Sequence, residues 1–352
     1  MILREKTKVV HIGGVPVGGG HPIVIQSMTN TDTRNIPATV AQIKALEMAG
    51  CEIVRVAVPD VEAAEAIKQI KKEISIPLVA DIHFDYKLAI MAVENGADKL
   101  RINPGNIGGG NNVRLVAEAA KANNLPIRVG VNGGSLEKEI LAKYGGVTAE
   151  GLAESALLNV SLLEKYGFEN IVVSVKASNI PLILGSHKIL AERILYPLHL
   201  GLTEAGTPYN GVLRSAAGLG ALLNLGLGDT IRVSLAGDPV QEIKAAKIIL
   251  EAMGLRRFGV TVIACPTCGR TDFDLAKIAL EVEERLAHIT TPITVAVMGC
   301  AVNGPGEARE ADIGIAGGRG GAVLFRKGQV IRHVPENEII ETIIQEVMNI
   351  GV

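Results

Sequence analysis

The stretch IVRVAVPDVEAAEAIKQIKKEISIPLVADI, residues 53–82, joins two short apolar runs through a charged, amphipathic segment. Apart from Arg55, the first run (53–58) is continuously apolar, and the second run (77–82) is nearly so, as in strands buried on both faces. The segment 61–73 between them follows a Pro-Asp pair and has apolar residues at helical spacing. The pattern predicts a strand–helix–strand unit of a parallel sheet.

The same unit recurs along the first part of the chain. Eight apolar runs, mostly 22–33 residues apart, begin at residues 23, 53, 77, 99, 126, 171, 197 and 230. Helical patterns such as 37–50 and 239–254 lie between them. Eight strand–helix units in about 230 residues predict an α/β fold of the (β/α)8 TIM-barrel type. A doubly wound sheet is the alternative, but residues 26–33, after the first strand, lack its glycine fingerprint.

Two further segments flank the predicted barrel. Residues 10–23, VHIGGVPVGGGHPI, predict a hairpin that plugs the bottom of the barrel. After Gly254 the pattern changes to short strands with an amphipathic helix at 273–289 and a closing helix at 336–350. We therefore predict two domains, a barrel over residues 1–254 and a small α+β domain over residues 255–352.

The composition excludes several classes of protein. There are 35 basic and 37 acidic residues, a formal net charge of −2, which argues against a general nucleic-acid binder. There is no Trp, and there are only five Phe and five Tyr, so platforms for base stacking are not expected. Residues 1–19 lack the features of a targeting peptide, and no apolar run approaches the roughly 18 residues of a membrane span. These features predict a soluble cytoplasmic protein.

Polar residues stand within or just after the predicted barrel strands. The candidates for ligand binding are Arg55, Arg101, Asn103, Arg128, Asn132, Lys176, Arg232 and Ser234. The carboxyl ends of barrel strands meet at the mouth where barrel enzymes work, and charges in a buried strand need partners. The five basic residues, each on a different strand, therefore predict a pocket for a multiply charged anion, most simply a phosphate or diphosphate.

Glu204 is a carboxylate among these cations, near the end of the seventh predicted strand. It is either a counter-ion to Lys176 or an arginine, or a catalytic group that donates a proton or anchors a substrate hydroxyl. We favour the catalytic role. His83 and His199 also fall near strand ends, but their pattern does not separate a functional role from ordinary hydrogen bonding.

Three of the four cysteines lie in the second domain, in ACPTCGRT (264–271) and MGCAVNGPGE (298–307). A C-x-x-C pair is compatible with a thioredoxin-like couple, a zinc site or an iron–sulfur cluster. A thioredoxin-like couple needs no third cysteine, and zinc would need a fourth ligand from a second Cys or His pair, which is absent from the sequence. Three thiolates suit a cubane cluster in which one iron lacks a protein sulfur.

Glu307 stands seven residues after Cys300. The Gly-Pro-Gly turn before it could direct the carboxylate towards Cys300 as an oxygen ligand, or Glu307 could be an ordinary first-turn helix residue. Both interpretations remain open on the residues alone. The fourth cysteine, Cys51, is predicted to be a small buried residue of the barrel.

The two cysteine segments occur with LRINPGN (100–106), IRVGVNGGSL (127–136), VSVKASN (173–179) and GLTEAG (201–206). Together these motifs resemble the 4-hydroxy-3-methylbut-2-enyl diphosphate synthase family of the non-mevalonate isoprenoid pathway, in its two-domain bacterial form. The resemblance covers essentially the whole chain. It implies an iron–sulfur oxidoreductase that opens the ring of 2-C-methyl-D-erythritol 2,4-cyclodiphosphate by two-electron reduction and dehydration to the linear allylic diphosphate.

The resemblance also implies roles for individual residues. A [4Fe–4S] cluster would be bound by Cys265, Cys268, Cys300 and Glu307, with Glu307 as the exchangeable ligand. Glu204 would be the acid at the reacting hydroxyl, and the barrel mouth would hold the diphosphate. Electrons would come from reduced flavodoxin or ferredoxin, and the active site would be shared between the subunits of a homodimer.

Two other functions remain as alternatives. One is a zinc-stabilised barrel enzyme that acts on a phosphorylated substrate, with a structural second domain. The other is a non-enzymatic iron–sulfur electron carrier or sensor that uses the barrel as a scaffold.

Overall fold

The computed structural model describes residues 3–271, 273–318 and 320–351. The chain divides into two compact units, Met1–Arg256 and Arg257–Val352. The boundary predicted from the sequence, after Gly254, lies two residues before this division.

A hairpin of β1 (Val10–Ile12) and β2 (Val15–Val17) begins the first unit. Its apolar side chains form one buried cluster with the barrel residues Val24, Ile53 and Val79. Each of these three lies at or near the start of its strand, so the hairpin covers the amino-terminal end of the barrel, as predicted.

Parallel strands form the main sheet of the first unit. They are β3 (Val24–Met28), β4 (Ile53–Ala57), β5 (Leu78–Asp81), β6 (Lys99–Ile102), β7 (Ile127–Asn132), β8 (Ile171–Lys176), β9 (His199–Leu200) and β10 (Thr230–Ile231). Strands β3 to β8 pair in chain order, and β10 pairs with both β3 and β9. A parallel bridge between Val173 of β8 and Leu198, directly before β9, closes the sheet. The predicted TIM barrel is confirmed.

Helices connect these strands. They are α1 (Ile36–Ala49), α2 (Val61–Glu73), α3 (Tyr86–Glu94), α4 (Gly110–Ala122), α5 (Lys138–Tyr144), α6 (Ala149–Glu164), α7 (Ile180–Arg193), α8 (Pro208–Asn224) and α9 (Val240–Ala252). Helix α2 shows why they form where they do: the Asp60 side chain accepts a hydrogen bond from the backbone N–H of Ala63 at 3.0 Å, and Ala64, Ile67 and Ile70 are buried. Such a cap stabilises a helix by about 1 kcal/mol.

The last two barrel strands are shorter than the apolar runs that predicted them. Each has two residues, although the backbone N–H of Arg232 still donates to the carbonyl of Leu200 at 2.9 Å. Gly201 follows β9, and a Cβ there would come within 3.0 Å of the Lys176 amine. The backbone carbonyl of Arg232, at 2.9 Å, is closer still, so these two groups leave no room for a side chain at this position.

The second unit has a sheet with the order β11-β12-β13-β14-β15. Its elements are β11 (Val260–Ala264), α10 (Leu275–Leu286), β12 (Ile293–Met298), α11 (Gly304–Glu307), β13 (Ile313–Gly318), β14 (Gly321–Arg326), β15 (Gln329–Pro335) and α12 (Ile339–Gly351). The first three strands are parallel and the last two pairings are antiparallel. Side chains of α10 and α12, such as Val282 and Ile343, share a core with Val295 and Ile315 of the sheet. This is the predicted small α+β domain.

Candidate active site

A cavity of about 250 Å³ opens at the carboxyl ends of the barrel strands. Its lining residues are Arg55, Asp81, His83, Arg101, Arg128, Asn132, Ser174, Lys176, Thr203, Glu204, Arg232 and Ser234. Seven of the eight predicted binding residues are therefore brought together, as is Glu204. We call this cavity the barrel mouth.

Asn103 is the predicted binding residue that is absent from the described lining of the barrel mouth. Its side-chain oxygen accepts from the backbone N–H of Gly105 at 3.2 Å, and the Asn159 oxygen accepts from the same N–H at 2.7 Å. Asn159 in turn donates to the Glu137 carboxylate at 3.1 Å. Asn103 thus shapes the loop after β6 in this structure.

Asp81 holds two of the arginines. Arg101 donates to it at 3.0 Å, and the Nε of Arg55 lies 3.6 Å from its other oxygen. Burial alone would raise the pKa of Asp81, but Arg55, His83 and Arg101 together hold it below its usual range. Burial lowers the pKa of Arg55 to about 10, which leaves this arginine protonated at neutral pH.

Glu242, in the first turn of α9, holds a third arginine of the mouth, Arg232. Its carboxylate lies 3.2 Å from the Nε of Arg232, accepts from the Ser27 hydroxyl at 2.7 Å and accepts from the backbone N–H of Leu235 at 3.0 Å. Sequence reasoning missed Glu242 because the helix reads as an ordinary amphipathic one. The signal that could have found it is its place on the buried face, beside Ile243 and Ala246.

Two cations of the mouth lack such a partner. Lys176 is 5% exposed and makes no salt bridge within the described residues, and Arg128 is 1% exposed with its Nε and one terminal nitrogen unpaired there. Burial, reinforced by Arg55 and Arg232, holds the pKa of Lys176 well below its usual range. Buried donors without acceptors are costly, so this arrangement suits a ligand that brings negative charge.

Glu204 has a backbone φ of +55°, one of three positive values among non-glycine residues in the described chain. A left-handed conformation costs a residue of this type roughly 1–2 kcal/mol. The side chain is exposed and makes no salt bridge within the described residues, so the counter-ion role is not seen. Backbone strain of this kind concentrates at functional sites, and here it presents a carboxylate at the rim of the mouth.

The two histidines differ in position. His83 lines the mouth, with its Nε2 3.6 Å from Asp81, and its side chain is 57% exposed. His199 is fully buried within the barrel, where its Nδ1 lies 2.6 Å from the Thr230 hydroxyl. Burial holds the pKa of His199 well below its usual range, so this ring is neutral at physiological pH.

A second cavity, of about 180 Å³, lies in the second unit. Its lining residues are Cys265, Pro266, Cys268, Arg270, Met298, Cys300, Asn303, Gly304 and Glu307. The three cysteines and Glu307 are thus brought together, and all three thiols are free. We call this the cysteine cavity.

The local sequence explains how the cysteine cavity forms. Cys265 directly follows β11, and Cys300 lies two residues after β12, so adjacent parallel strands bring them together. A Cβ at Gly304 would come within 2.8 Å of side chains in β12 and β13, so only glycine lets α11 lie against the sheet. This close approach places Glu307, at the end of α11, on the wall of the cavity.

Two of the three thiols accept hydrogen bonds. The backbone N–H of Gly299 donates to the Cys265 sulfur at 3.0 Å. Hydrogen bonds from the backbone and then the side chain of Arg270 lower the pKa of the exposed Cys268 thiol. In the described parts of the chain, no three His, Cys, Asp or Glu side chains converge closely enough to hold a single metal ion. Cys265, Cys268, Cys300 and Glu307 instead line a cavity of about 180 Å³.

Cys51 is 3% exposed, and its thiol donates to the carbonyl of Ile53 at 3.1 Å. Burial raises its pKa to about 12. The prediction of a small buried residue is confirmed.

Each of the two units matches a known domain family. Residues 7–247 match the GcpE TIM-barrel domain, and residues 261–349 match the GcpE protein C-terminal domain. Relatives named 4-hydroxy-3-methylbut-2-en-1-yl diphosphate synthase (flavodoxin) include one from Caldanaerobacter subterraneus, 59% identical over 98% of this chain and 97% of its own. Another, from Halalkalibacterium halodurans, is 57% identical over 99% of this chain and 95% of its own.

Among solved structures, dihydropteroate synthase from Stenotrophomonas maltophilia matches 71% of this chain and all of its own, with a TM-score of 0.52 and 16% identity. At that identity the likeness shows the barrel fold alone. No helix in the described residues is long and apolar enough to cross a membrane. The two domain matches and the identities to relatives along nearly the whole chain show that this protein belongs to the GcpE family.

Proposed function

We propose that this protein reduces 2-C-methyl-D-erythritol 2,4-cyclodiphosphate to (E)-4-hydroxy-3-methylbut-2-enyl diphosphate, the product for which its relatives are named. The observation that carries the proposal is the pairing, in one chain, of a cation-lined barrel mouth with a cavity of three free cysteines and Glu307. The first suits a diphosphate and the second suits an electron-transfer centre. Neither cavity has the groups for the whole reaction.

The proposed reaction balances with an external donor. Counted on the acid forms, the cyclic diphosphate takes up two electrons and two protons. The ring C–O bond to the diphosphate breaks, the neighbouring hydroxyl leaves as water, and the electron pair remains as the new carbon–carbon double bond. The relatives' names give flavodoxin as the donor, and we propose reduced flavodoxin, with ferredoxin as the alternative.

In the barrel domain, the cations would bind the diphosphate. Arg128 and Lys176 make no salt bridge in the described structure, so they gain most from an anion, and Arg55, Arg101 and Arg232 are already oriented by Asp81 and Glu242. Each charge-assisted hydrogen bond would contribute on the order of 1.5–3 kcal/mol. Asn132 and Ser234 would contact the remaining oxygens.

Glu204 would donate the proton that converts the departing hydroxyl into water. It stands at the rim of the mouth and makes no salt bridge within the described residues, whereas Asp81 and Glu242 each pair with an arginine. A carboxyl group near cations but free of a salt bridge can reach a substrate hydroxyl directly.

The family is known to use an iron–sulfur cluster, and three free cysteines line the cysteine cavity together with Glu307. We propose that Cys265, Cys268, Cys300 and Glu307 hold a [4Fe–4S] cluster, which when bound supplies electrons one at a time and an iron open to an oxygen ligand. The N–H of Gly299 that points to Cys265 is the kind of donor that tunes cluster thiolates. Glu307, on the four-residue helix α11, would be the ligand that yields to substrate.

The spacing of these ligands also bears on the zinc alternative. A structural zinc ion needs four ligands about 2.0–2.3 Å from one point. The four side chains line a cavity of about 180 Å³ without converging on such a point. Metal and acid-labile sulfide content distinguish the cluster from a single ion.

Iron and acid-labile sulfide analysis after anaerobic purification tests the cofactor. About four irons per chain with matching sulfide support the cubane, whereas one zinc without sulfide would contradict it. Turnover of the cyclodiphosphate with a reduced one-electron donor then tests the activity. Cluster content without turnover would instead support a non-enzymatic electron carrier.

We further propose that a homodimer shares the active site, the cluster domain of one subunit completing the barrel of the other, because each domain has half of the required groups. Mixed dimers of Glu204→Gln and Cys268→Ala chains, each inactive alone, should regain activity. Mixed dimers that stay inactive would contradict sharing. The cytoplasmic location remains a prediction of the sequence.

A further inference from the structure

A layer of polar side chains lies inside the barrel, beneath the mouth. Lys99 opens β6 two residues before Arg101, so both side chains point into the barrel, with Lys99 deeper. Gln26 and His199 occupy the same interior, and all three are at most 1% exposed. Lys99 is absent from the described lining of the mouth, so a ligand bound there would not touch it.

Lys99 has a neutral partner. Its amine donates to the side-chain oxygen of Gln26 at 3.3 Å and forms no salt bridge with any described residue. The charged or titratable groups of the surrounding strands are Arg55, Asp81, Arg101, Arg128, Lys176, His199 and Arg232. Of these, Arg128 and Arg55 act on Lys99 most strongly, and both repel its charge.

The buried cations of the barrel interior outnumber its buried carboxylates, so they cannot all be protonated at once. Its cations are Arg55, Lys99, Arg101, Arg128, Lys176 and Arg232, of which the last is the most exposed, at 14% of its side chain. Asp81 and Glu242 are the buried carboxylates that face them in the described structure, so six cations meet two anions. Unpaired buried charges are expensive, and a guanidinium keeps its proton in proteins. The lysines are therefore the groups that lose a proton.

We propose that Lys99 is a reserve cation, neutral while the mouth is empty and protonated from solvent when a diphosphate binds above it. The inference rests on the proposed function for its ligand. A cyclic diphosphate brings two negative charges to Arg128 and to its neighbours in the mouth, which removes the main repulsion on Lys99. Gln26 already supplies an acceptor for the ammonium that forms. Burial, with Arg128 and Arg55, holds the pKa of Lys99 well below its usual range in the empty protein, in agreement with this order of events.

The proposal fixes the sign of a pH dependence. The pKa of Lys99 is lower in the empty protein than in the complex, so the complex holds one more proton between those two pKa values. Binding is then tightest below the lower pKa and weakens as pH rises through the window, by up to about tenfold per pH unit for one proton. His199 is neutral in the empty protein because burial, and then the neighbouring cations, hold its pKa well below its usual range.

Calorimetric titration of the oxidised holoenzyme with the cyclodiphosphate, without a reductant, tests the proposal. Measurements in two buffers of different ionisation enthalpy give the number of protons taken up, and the phosphates of this ligand do not titrate near neutral pH. We expect the wild type to take up about one proton more than Lys99→Met. Lys68→Met, which removes an exposed lysine of α2, should match the wild type.

Two results would overturn the proposal. One is the absence of proton uptake in the wild type at any pH from neutral to mildly alkaline, which needs no variant. The other is equal uptake by the wild type and Lys99→Met, which would assign the proton elsewhere, to Lys176 first. If Lys99→Met does not fold, Lys99→Gln replaces it. Failure of the cyclodiphosphate to bind would contradict the proposed function. The difference in proton uptake between the wild type and Lys99→Met on binding inorganic diphosphate, in which the protons of the ligand itself cancel, would still test Lys99.

Discussion

The barrel mouth and the cysteine cavity are built in opposite ways. Arg101 and Arg128 are 7% and 1% exposed, and Asp81 and Glu242 form salt bridges with arginines of the mouth. In the second unit Cys268 is exposed, and the ligand candidates sit on turns after strands and on a four-residue helix. Buried, oriented charges bind an anion at little cost in reorganisation, whereas the proposed cluster would have to be inserted with one iron accessible. The comparison therefore agrees with the proposal that the barrel binds the substrate and the second domain transfers electrons.

Removing a cysteine thiol should abolish cluster binding in the second domain and leave anion binding in the barrel mouth intact. Cys268→Ala leaves two thiolates and a carboxylate, too few to hold a cubane, so iron content and turnover should fall to background. Binding of inorganic diphosphate to the barrel should persist, as measured by calorimetry. Cys51→Ala, which removes a cysteine from the barrel core, is the matched control and should retain its iron. Normal iron content in Cys268→Ala would contradict the assignment.

Removing a cation should weaken anion binding in the barrel mouth and leave the second domain intact. Arg128→Met deletes a buried donor set that lacks a protein partner, so it should lose about 1.5–3 kcal/mol of binding energy, or about 10- to 150-fold in Kd. Iron content should not change. Arg114→Met, an exposed arginine on α4 paired with Glu118, should bind like the wild type. Unchanged affinity in Arg128→Met would show that the mouth does not bind the diphosphate.

The smallest expected effect is on the strained backbone of the mouth. Asn tolerates the left-handed conformation better than Glu or Gln does. The free energy of unfolding of Glu204→Asn should therefore exceed that of Glu204→Gln by about 0.5–1 kcal/mol. Both variants lose the carboxylate, so both should lose turnover while only one gains stability. Denaturant unfolding measures the difference, and equal stabilities would mean that the strain at this position is not significant.

The sequence reveals the two regions to different depths. The barrel strands could be predicted because strands buried on both faces are continuously apolar, and the charges within them stand out against that background. Lys99, like Arg101 two residues later in β6, is a basic residue within an apolar run. The sequence shows no anion beside Lys99, so the pattern alone does not indicate its role. Glu242 stands on the buried face of α9, which is a sequence signal, but its partner could not be predicted because it meets Arg232 only after the chain has turned back.

Conformation was harder to predict than position. The φ of +55° at Glu204 has no sequence signal, because the left-handed region is associated with glycine and asparagine. Asn103 stands in a motif of the mouth, but its oxygen caps the local turn at Gly105, a choice between neighbouring donors that the sequence does not record. The roles of Cys265, Cys268, Cys300 and Glu307 remain proposals, although the structure brings all four to one cavity.

The most direct test of the division between binding and electron transfer is turnover by Glu307→Cys at matched iron content. A fourth thiolate should let the cluster assemble with about four irons and leave the barrel mouth unchanged, so the cyclodiphosphate should still bind there. Because no iron would then yield its ligand to substrate, we expect turnover to fall at least about a hundredfold, or ~2.7 kcal/mol of transition-state stabilisation. Turnover equal to that of the wild type would contradict the proposed role of Glu307 as the exchangeable ligand.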